Sequence, residues 1–353
     1  MSDHHLTYMP HLAELRARRL IAQGLAYSAA RPMVASAPVD VARHMIALQG
    51  QNYDAGVRAL AVRVKEPASS RSDADTDPLQ DATESALNSI ADFEIVRCWP
   101  QRGTLHFLPT ENARWMMQLT HPRIEAQAAR RRAGLGFETG DYERALEAFV
   151  DALNKRGVSD PVSRPEAYDV FAAAGVAPSQ GRGPHLLRAF GGAGEIVQGP
   201  RIGKVETFVS LTAIEQEKGI SQRDLTGDDA LQVLGTEYFH ARGPATLKDL
   251  MWWTGITKKQ AVTAVETASD LIPLEFHGDT YWMGSWQADV TAAELTAALD
   301  HELSLPAFDE YLLGYGSRVE VLSDELRPEV LTKNGISWPF EVRNGVIVGR
   351  SKK

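Results

Sequence analysis

The most constraining feature of this 353-residue sequence is a pattern that returns three times: helix-forming segments followed at once by two short strands. The third copy is the clearest. Gly227–Ala241 and Thr246–Thr254 read as helices, with Leu247, Leu250 and Met251 on one face. Gly255 turns the chain, and Thr257 caps a third helix bearing Ala261, Val262 and Val265. A hairpin follows: Ile272, Leu274 and Phe276 alternate, His277-Gly278-Asp279 turns, and Tyr281-Trp282-Met283 returns. Apolar spacing of three and four marks a helix, and alternation marks a strand with one buried face. Two helices joined by a short glycine-containing turn predict a helix-turn-helix, whose second helix is built to enter a groove. The added hairpin makes it a winged helix.

The earlier copies share the order of elements but few residues. The first runs from an amphipathic helix at Leu12–Leu25 through a turn at Arg31-Pro32, a helix over Val39–Leu48 and a short one over Ala55–Val64. A Ser/Asp/Pro loop at Pro67–Pro78 and a helix over Leu79–Ile90 precede strands Glu94–Trp99 and Thr104–Leu108, turned by Pro100-Gln101-Arg102-Gly103. Helices over Thr110–Arg132, capped by Thr110, and Asp141–Arg156 lead to the second copy. There Ser163-Arg164-Pro165-Glu166 is a capping box opening a helix to about Ala174. His185–Phe190 lies on a further helix, and Glu195–Gln198 pairs with Lys204–Leu211 across Gly199-Pro200-Arg201-Ile202-Gly203. The tail predicts a helix near Thr291–Leu299, an apolar run Phe308–Tyr315, and a hairpin Phe340–Val348 turned by Asn344-Gly345. The expected fold class is α+β, with three tandem winged-helix units and a C-terminal β-rich element. The boundaries fall at 10–135 (the first unit with its following helix), 136–215, 226–286 and 287–353. The competing explanation is chance alternation of helices and hairpins in an unrelated α+β enzyme.

Composition narrows the function classes. An apolar fraction of 44% with 24% charged residues excludes a mainly disordered chain. The single cysteine, Cys98, excludes an internal disulfide framework and a four-cysteine zinc site, and reads as buried packing. The opening MSDHHLTYMP has no apolar core of a signal peptide, and no eighteen apolar residues run together, so a cytoplasmic protein with no membrane partner is expected. The net charge of −9 argues against a chain held on nucleic acid by overall charge. Its distribution is uneven, however. Asp73, Asp75, Asp77, Asp81, Glu84, Asp92 and Glu94 precede a basic run of Arg97, Arg102, Arg114, Arg123, Arg130, Arg131 and Arg132, interrupted only by Glu111 and Glu125. A segregated field can bind a polyanion on one face.

Familiar catalytic signatures are missing: no phosphate-binding loop, nucleophile elbow or helical zinc-hydrolase motif occurs. Gly191-Gly192-Ala193-Gly194 precedes a hairpin instead of linking a strand to a helix, so it is no dinucleotide loop. His4-His5 is the nearest approach to a metal-ligand pair, and neither metal nor cofactor is expected.

Four local features stand apart: Gln49-Gly50-Gln51, Arg102-Gly103-Thr104-Leu105-His106, the block FHARGPATLKDLMWWT at Phe239–Thr254, and PAFDEYLLGY at Pro306–Tyr315. In this order they make the chain resemble, from about Leu12 to Gly349, the AlkZ-like family of bacterial DNA glycosylases, also described as winged-helix DNA-binding proteins. The resemblance implies three tandem winged helices with a β-rich closure, and cofactor-free removal of alkylated bases from DNA. It implies further final strands too, so with the sequence stopping at Arg350-Ser351-Lys352-Lys353 an abbreviated closure is expected. The family signature is glutamine–aliphatic residue–glutamine. Gln49 and Gln51 match it, whereas Gly50 lacks the apolar side chain that would pin the segment.

On that resemblance Gln49 and Gln51 are the expected catalytic pair, the alternative being a solvated helix terminus. A carboxamide does not titrate, but an N7- or N3-alkylated purine is already a cation and leaves without protonation. Two carboxamides suffice to orient water and stabilise an oxocarbenium-like sugar. Expected DNA contacts are Arg102, exposed at the first wing's tip, His106, Arg123, Arg130, Arg131, Arg188, Arg201 and Lys204, with Arg182 on the same face. His106 reads equally well as packing, and Arg130-Arg131-Arg132 as a solvated helix end. Asp309-Glu310 face opposite sides if extended, which argues against an acid/base pair, and Trp252-Trp253 reads as core. Two functions follow: a monofunctional glycosylase acting as a monomer on alkylated bases or alkyl crosslinks in duplex DNA at the nucleoid, or a non-catalytic winged-helix protein, regulatory or architectural.

Overall fold

The computed structural model describes residues 12–32, 35–64, 77–276 and 278–351. His4-His5, most of the Pro67–Pro78 loop, His277 and Lys352-Lys353 lie outside the described residues. The chain is mixed α/β and divides into two compact units, Met1–Ala86 with Leu231–Lys353, and Leu87–Ala230.

In the second unit the antiparallel strands lie in the order Thr104–Pro109, Ile95–Gln101, Ile196–Gln198, Thr207–Ser210, Val162–Ser163. The two expected hairpins thus share one sheet, with Arg97 opposite Gln198. The buried Arg97 guanidinium bonds Gln198 and Glu206, so the join is polar. Helices Asp141–Arg156, Arg164–Ala173 and Arg182–Gly192 bring Phe149, Phe171 and Phe190 together and set Phe149 against Phe208, with ring centroids 5.3 Å apart for Phe149–Phe171 and 6.0 Å for Phe149–Phe208. The Ser163–Glu166 capping box forms as expected, the carboxylate accepting the Ser163 N–H at 2.8 Å. Two local expectations need correction. Thr110 does not cap the next helix: its hydroxyl donates to the Phe93 carbonyl, and the α-helix starts at Ala113 after a 3₁₀ turn. Pro100 and Gln101 belong to the strand, leaving Arg102 (φ 50°) and Gly103 (φ 67°) as a two-residue turn.

Helix Gly227–Arg242 enters the first unit at Leu231, and there the chain reads strand Ala245–Thr246, helix Leu247–Thr254, a left-handed Gly255 at φ 82°, helix Lys258–Thr267, then strands Leu271–Phe276 and Asp279–Gly284. Thr246 and Thr257 both form capping boxes. Gly243 has no room for a side chain, since a Cβ there would stand 2.4 Å from the Phe239 carbonyl oxygen and 2.6 Å from Met283 Cα. Strands Leu303–Leu305, Phe340–Arg343 and Val346–Arg350 form a second three-stranded sheet. Its core joins the ends of the described chain, with Leu20, Ile21 and Leu25 packed among Leu312, Leu322, Phe340 and Ile347. The Phe308–Tyr315 run is not extended: Glu310–Leu313 is a short helix that Asp309 caps by accepting the Tyr311 N–H at 2.8 Å.

Candidate active site and nucleic-acid contacts

Helix Pro38–Met45 stops abruptly at Ile46, whose φ of 57° is rare for a β-branched residue. The Ala47 N–H donates back to the Met45 carbonyl at 2.6 Å, closing a γ-turn of the strained, positive-φ kind. Such a conformation costs about 1–3 kcal/mol and persists only where its surroundings over-determine it. Arg242 does so here. Its Nη1 donates to the Met45 carbonyl at 2.9 Å and its Nη2 to that of Ala47 at 2.7 Å. The same guanidinium lies 4.1 Å from the Trp253 ring centroid and gives Nε and Nη2 to Glu310 Oε2 at 3.1 and 2.9 Å.

Glu310 completes the clamp. Its Oε2 also accepts the Trp253 indole N–H at 2.9 Å, and its Oε1 accepts the backbone N–H of Gln49 at 3.0 Å. Arg242 and Glu310 are buried, as an ion pair can be only when hydrogen bonds satisfy both partners. Beside it Arg63 holds Asp309 bidentately at 2.8 and 2.9 Å, and reaches the backbone and side-chain oxygens of Gln23. Gln23 donates to the Tyr315 hydroxyl, which donates to the Arg242 carbonyl, both at 2.9 Å. Asp309 and Glu310 are therefore a capping and clamping pair, each neutralised by its own arginine. They open a helix and do not alternate on a strand.

His44, near the end of the same helix, has Nε2 2.6 Å from the Ala22 carbonyl, so that nitrogen carries the proton. Burial, helped by Arg31, lowers its pKa to about 3 and keeps it neutral.

The clamped segment leads into the glutamines. Gln49 is buried, which a solvated helix terminus would not be, while Gln51 is exposed. Asn52 follows as N-cap of helix Tyr53–Ala61, its Oδ1 accepting the Ala55 N–H at 3.1 Å. A groove of about 1060 Å³ opens there, lined by Asn52, Asp54 and Arg58 together with Phe308, Trp338 and Arg350. Sequence reasoning missed Arg242 and Arg63, and it singled out Glu310 without its clamping role. The available signal was an arginine at an apolar spacing in each of two regions, answered by an acidic pair inside the apolar PAFDEYLL.

The expected DNA-contact residues all lie in the second unit and divide by exposure. Arg123, Arg130, Arg131 and Lys204 are exposed. Arg102, Arg188 and Arg201 are half-buried, so Arg102 is not the open tip that was expected. The structure brings Arg102 and Arg188 near one another: the Arg188 guanidinium carbon is 3.4 Å from where a Gly103 Cβ would stand. His106 is fully buried, with Nε2 3.0 Å from Gln101 Nε2 and Nδ1 2.9 Å from the Thr104 carbonyl. It fastens its own hairpin. Within the basic run, Arg97 is used internally, Arg114 pairs with Glu215, and Arg132 pairs with Glu125 while lying 4.2 Å from the Tyr142 ring centroid. Trp253 is core, and Cys98 is buried with its thiol pKa pushed up. Among the described residues, no group of three or more His, Cys, Asp or Glu could hold a metal ion, and no helix is long and apolar enough to cross a membrane.

A family model described as DNA glycosylase AlkZ-like matches residues 42–352, a span containing both glutamines, Arg242 and Glu310. Over 277 residues the chain is 26% identical to the interstrand DNA cross-link repair glycosylase of Streptomyces sahachiroi, covering 75% of this chain and 72% of that protein. The fold is similar to the solved structure of Streptomyces sahachiroi DNA glycosylase AlkZ, with a TM-score of 0.72 at 21% identity, over 97% of this chain and 87% of that one.

Proposed function

The chain belongs to the AlkZ-like DNA glycosylase family, and from that membership we propose that it is a monofunctional glycosylase releasing alkylated, cationic bases from duplex DNA. The observation that carries this reading is the clamp. Gln51 is exposed, its chain neighbour Asn52 lines an open groove, and the backbone before them is fixed by Glu310 on the Gln49 N–H and by Arg242 on two carbonyls. Glycine at position 50 supplies no side chain to pin the segment; the buried ion pair supplies that rigidity through the backbone.

The chemistry needs no titrating group. An N7-alkylguanine carries a positive charge before the reaction starts. Its C1′–N9 bond breaks with the electron pair going to the base, which leaves neutral, and the sugar becomes oxocarbenium-like. Water adds to C1′ and yields its proton to solvent. Gln51 accepts a hydrogen bond from that water, and the carboxamide dipole favours the developing cation. A crosslink joining two alkylated purines contains the same leaving group at each end, so unhooking it is the same reaction.

In this reading the three helix-and-hairpin segments act as tandem winged-helix units, divided as the sequence suggests, and the protein works as a monomer. Arg123, Arg130, Arg131 and Lys204 supply the cationic contact with phosphate, which overcomes the net charge of −9 only because the field is local. Arg102, Arg188 and Arg201 add to it at the hairpin turns. The non-catalytic alternative is favoured by Gly50. Incubation with duplex DNA containing N7-methylguanine, followed by assay of free base, separates them: release is expected, and binding without release would establish the alternative.

A further inference from the structure

In the second unit the hairpin of strands Ile196–Gln198 and Thr207–Ser210 extends past its own strands. Beyond them Ile202 and Val205 exchange two backbone hydrogen bonds, at 3.1 and 3.0 Å, around a two-residue turn of Gly203 and Lys204. Gly203 has φ 63°, the left-handed value that the first position of such a turn requires. Residues directly opposite in an antiparallel pair send their side chains to the same face. Ile202 and Val205 therefore make one apolar face at the end of the hairpin, and both stand in solvent, 62% and 41% exposed. The unit's packing does not use them, since Ile196, Val197, Phe208 and Val209 at the base of the hairpin are the buried members. The exposed Lys204 sits between them in sequence and Arg201 immediately precedes.

We propose that Ile202, backed by Val205, is a wedge that enters a base step of duplex DNA and unstacks it while Lys204 meets the adjoining phosphate. Two β-branched side chains on a ribbon this narrow offer far less area than a stable protein–protein interface needs. Apolar side chains flanked by cations, by contrast, fit the minor groove, where such wedges open base steps and kink the duplex. An unstacked step also serves the reaction, because chemistry on a base requires access that the stacked helix denies. The wedge rests on the DNA-binding part of the proposed function and adds a residue that distorts DNA to the residues that hold it.

The test uses the full chain and a duplex carrying 2-aminopurine beside N7-methylguanine. Wild-type protein is expected to raise 2-aminopurine fluorescence several-fold on binding. Ile202→Ser should lose most of that rise and weaken binding several-fold, with the salt dependence of affinity unchanged. Ile202→Leu should restore the signal. Lys204→Ala should keep the fluorescence rise and reduce the slope of log affinity against log salt by about 0.9. Wild-type binding without a rise in fluorescence, or an Ile202→Ser signal equal to wild type, overturns the wedge alone. Absence of wild-type binding at low salt overturns the glycosylase reading and the wedge together.

Discussion

Glu310 accepts the Gln49 backbone N–H at 3.0 Å through one carboxylate oxygen while its other oxygen holds the Arg242 guanidinium at 2.9 Å. One buried side chain thus links the charge on Arg242 to the backbone that carries the glutamines. Arg242 in turn holds both carbonyls of the Ile46 γ-turn, so neither partner is replaceable alone.

Removing one partner of such a pair leaves the other charged in a dry interior. Glu310→Ala and Arg242→Met should each cost about 3–5 kcal/mol of folding stability, measured by urea denaturation. The double variant Glu310→Leu with Arg242→Met should cost much less than the sum, since no charge is then stranded. It should fold yet release base slowly, because the γ-turn has lost its supports. Additive costs would show that the two residues do not act as a unit.

The basic run offers a contrast between arginines alike in sequence and unlike in place. Arg130→Ala or Arg131→Ala should lower DNA affinity at low salt and reduce the salt slope by about 0.9 for each phosphate no longer neutralised, with the thermal midpoint unchanged. Arg97→Met should do the reverse, because its guanidinium is buried against Gln198 and Glu206. Titrations at several salt concentrations with a melting curve for each variant distinguish the two behaviours.

What the sequence revealed follows from locality. Turns and caps were legible because they depend on residues a few positions apart: Ser163 with Glu166, Thr246 and Thr257 at their helix starts, and Gly255 at the turn. The glutamine pair was visible only by resemblance. The clamp beneath it was not visible, because Glu310 and Gln49 are 261 positions apart and no local spacing encodes that meeting. The exposure of Arg102 was not legible for a related reason: a hairpin's turn can be read from Arg102-Gly103, but how far it is covered depends on what comes near it, here Arg188. The shared sheet of the first two hairpins likewise depends on Arg97 meeting Gln198.

His44 gives the site's support a pH dependence of definite sign. Its folded pKa of about 3 lies below the ordinary 6.5, so the unfolded chain binds the proton more readily. The stability it confers is complete above pH 6.5 and is lost as pH falls toward 3, by up to about 1.4 kcal/mol per pH unit. Arg31, Arg242 and His240 add to the cost of charging it. His121 and His185 shift the same way, so the informative quantity is the difference between wild type and His44→Gln, whose amide can still donate to the Ala22 carbonyl. Urea midpoints at pH 7.5 and 5 should fall more steeply for wild type; equal losses would remove His44 from the account.

Gln49 and Gln51 should separate cleanly although they are two residues apart. Gln51 is exposed, so Gln51→Ala removes little buried surface and should leave DNA affinity near wild type. It should nevertheless abolish release of N7-methylguanine, because the lost carboxamide orients water and does not hold phosphate. Gln49 is buried, and Gln49→Ala should lower stability by about 1 kcal/mol as well as slow release. Selectivity follows from the same chemistry: uracil and neutral oxidised bases need an acid to leave, and a pair of carboxamides provides none. Single-turnover release from duplexes carrying N7-methylguanine or uracil, measured beside binding titrations, checks both claims. Release of uracil at a rate comparable with the cationic base would mean that some other group donates a proton, and Gln51 would no longer account for the reaction.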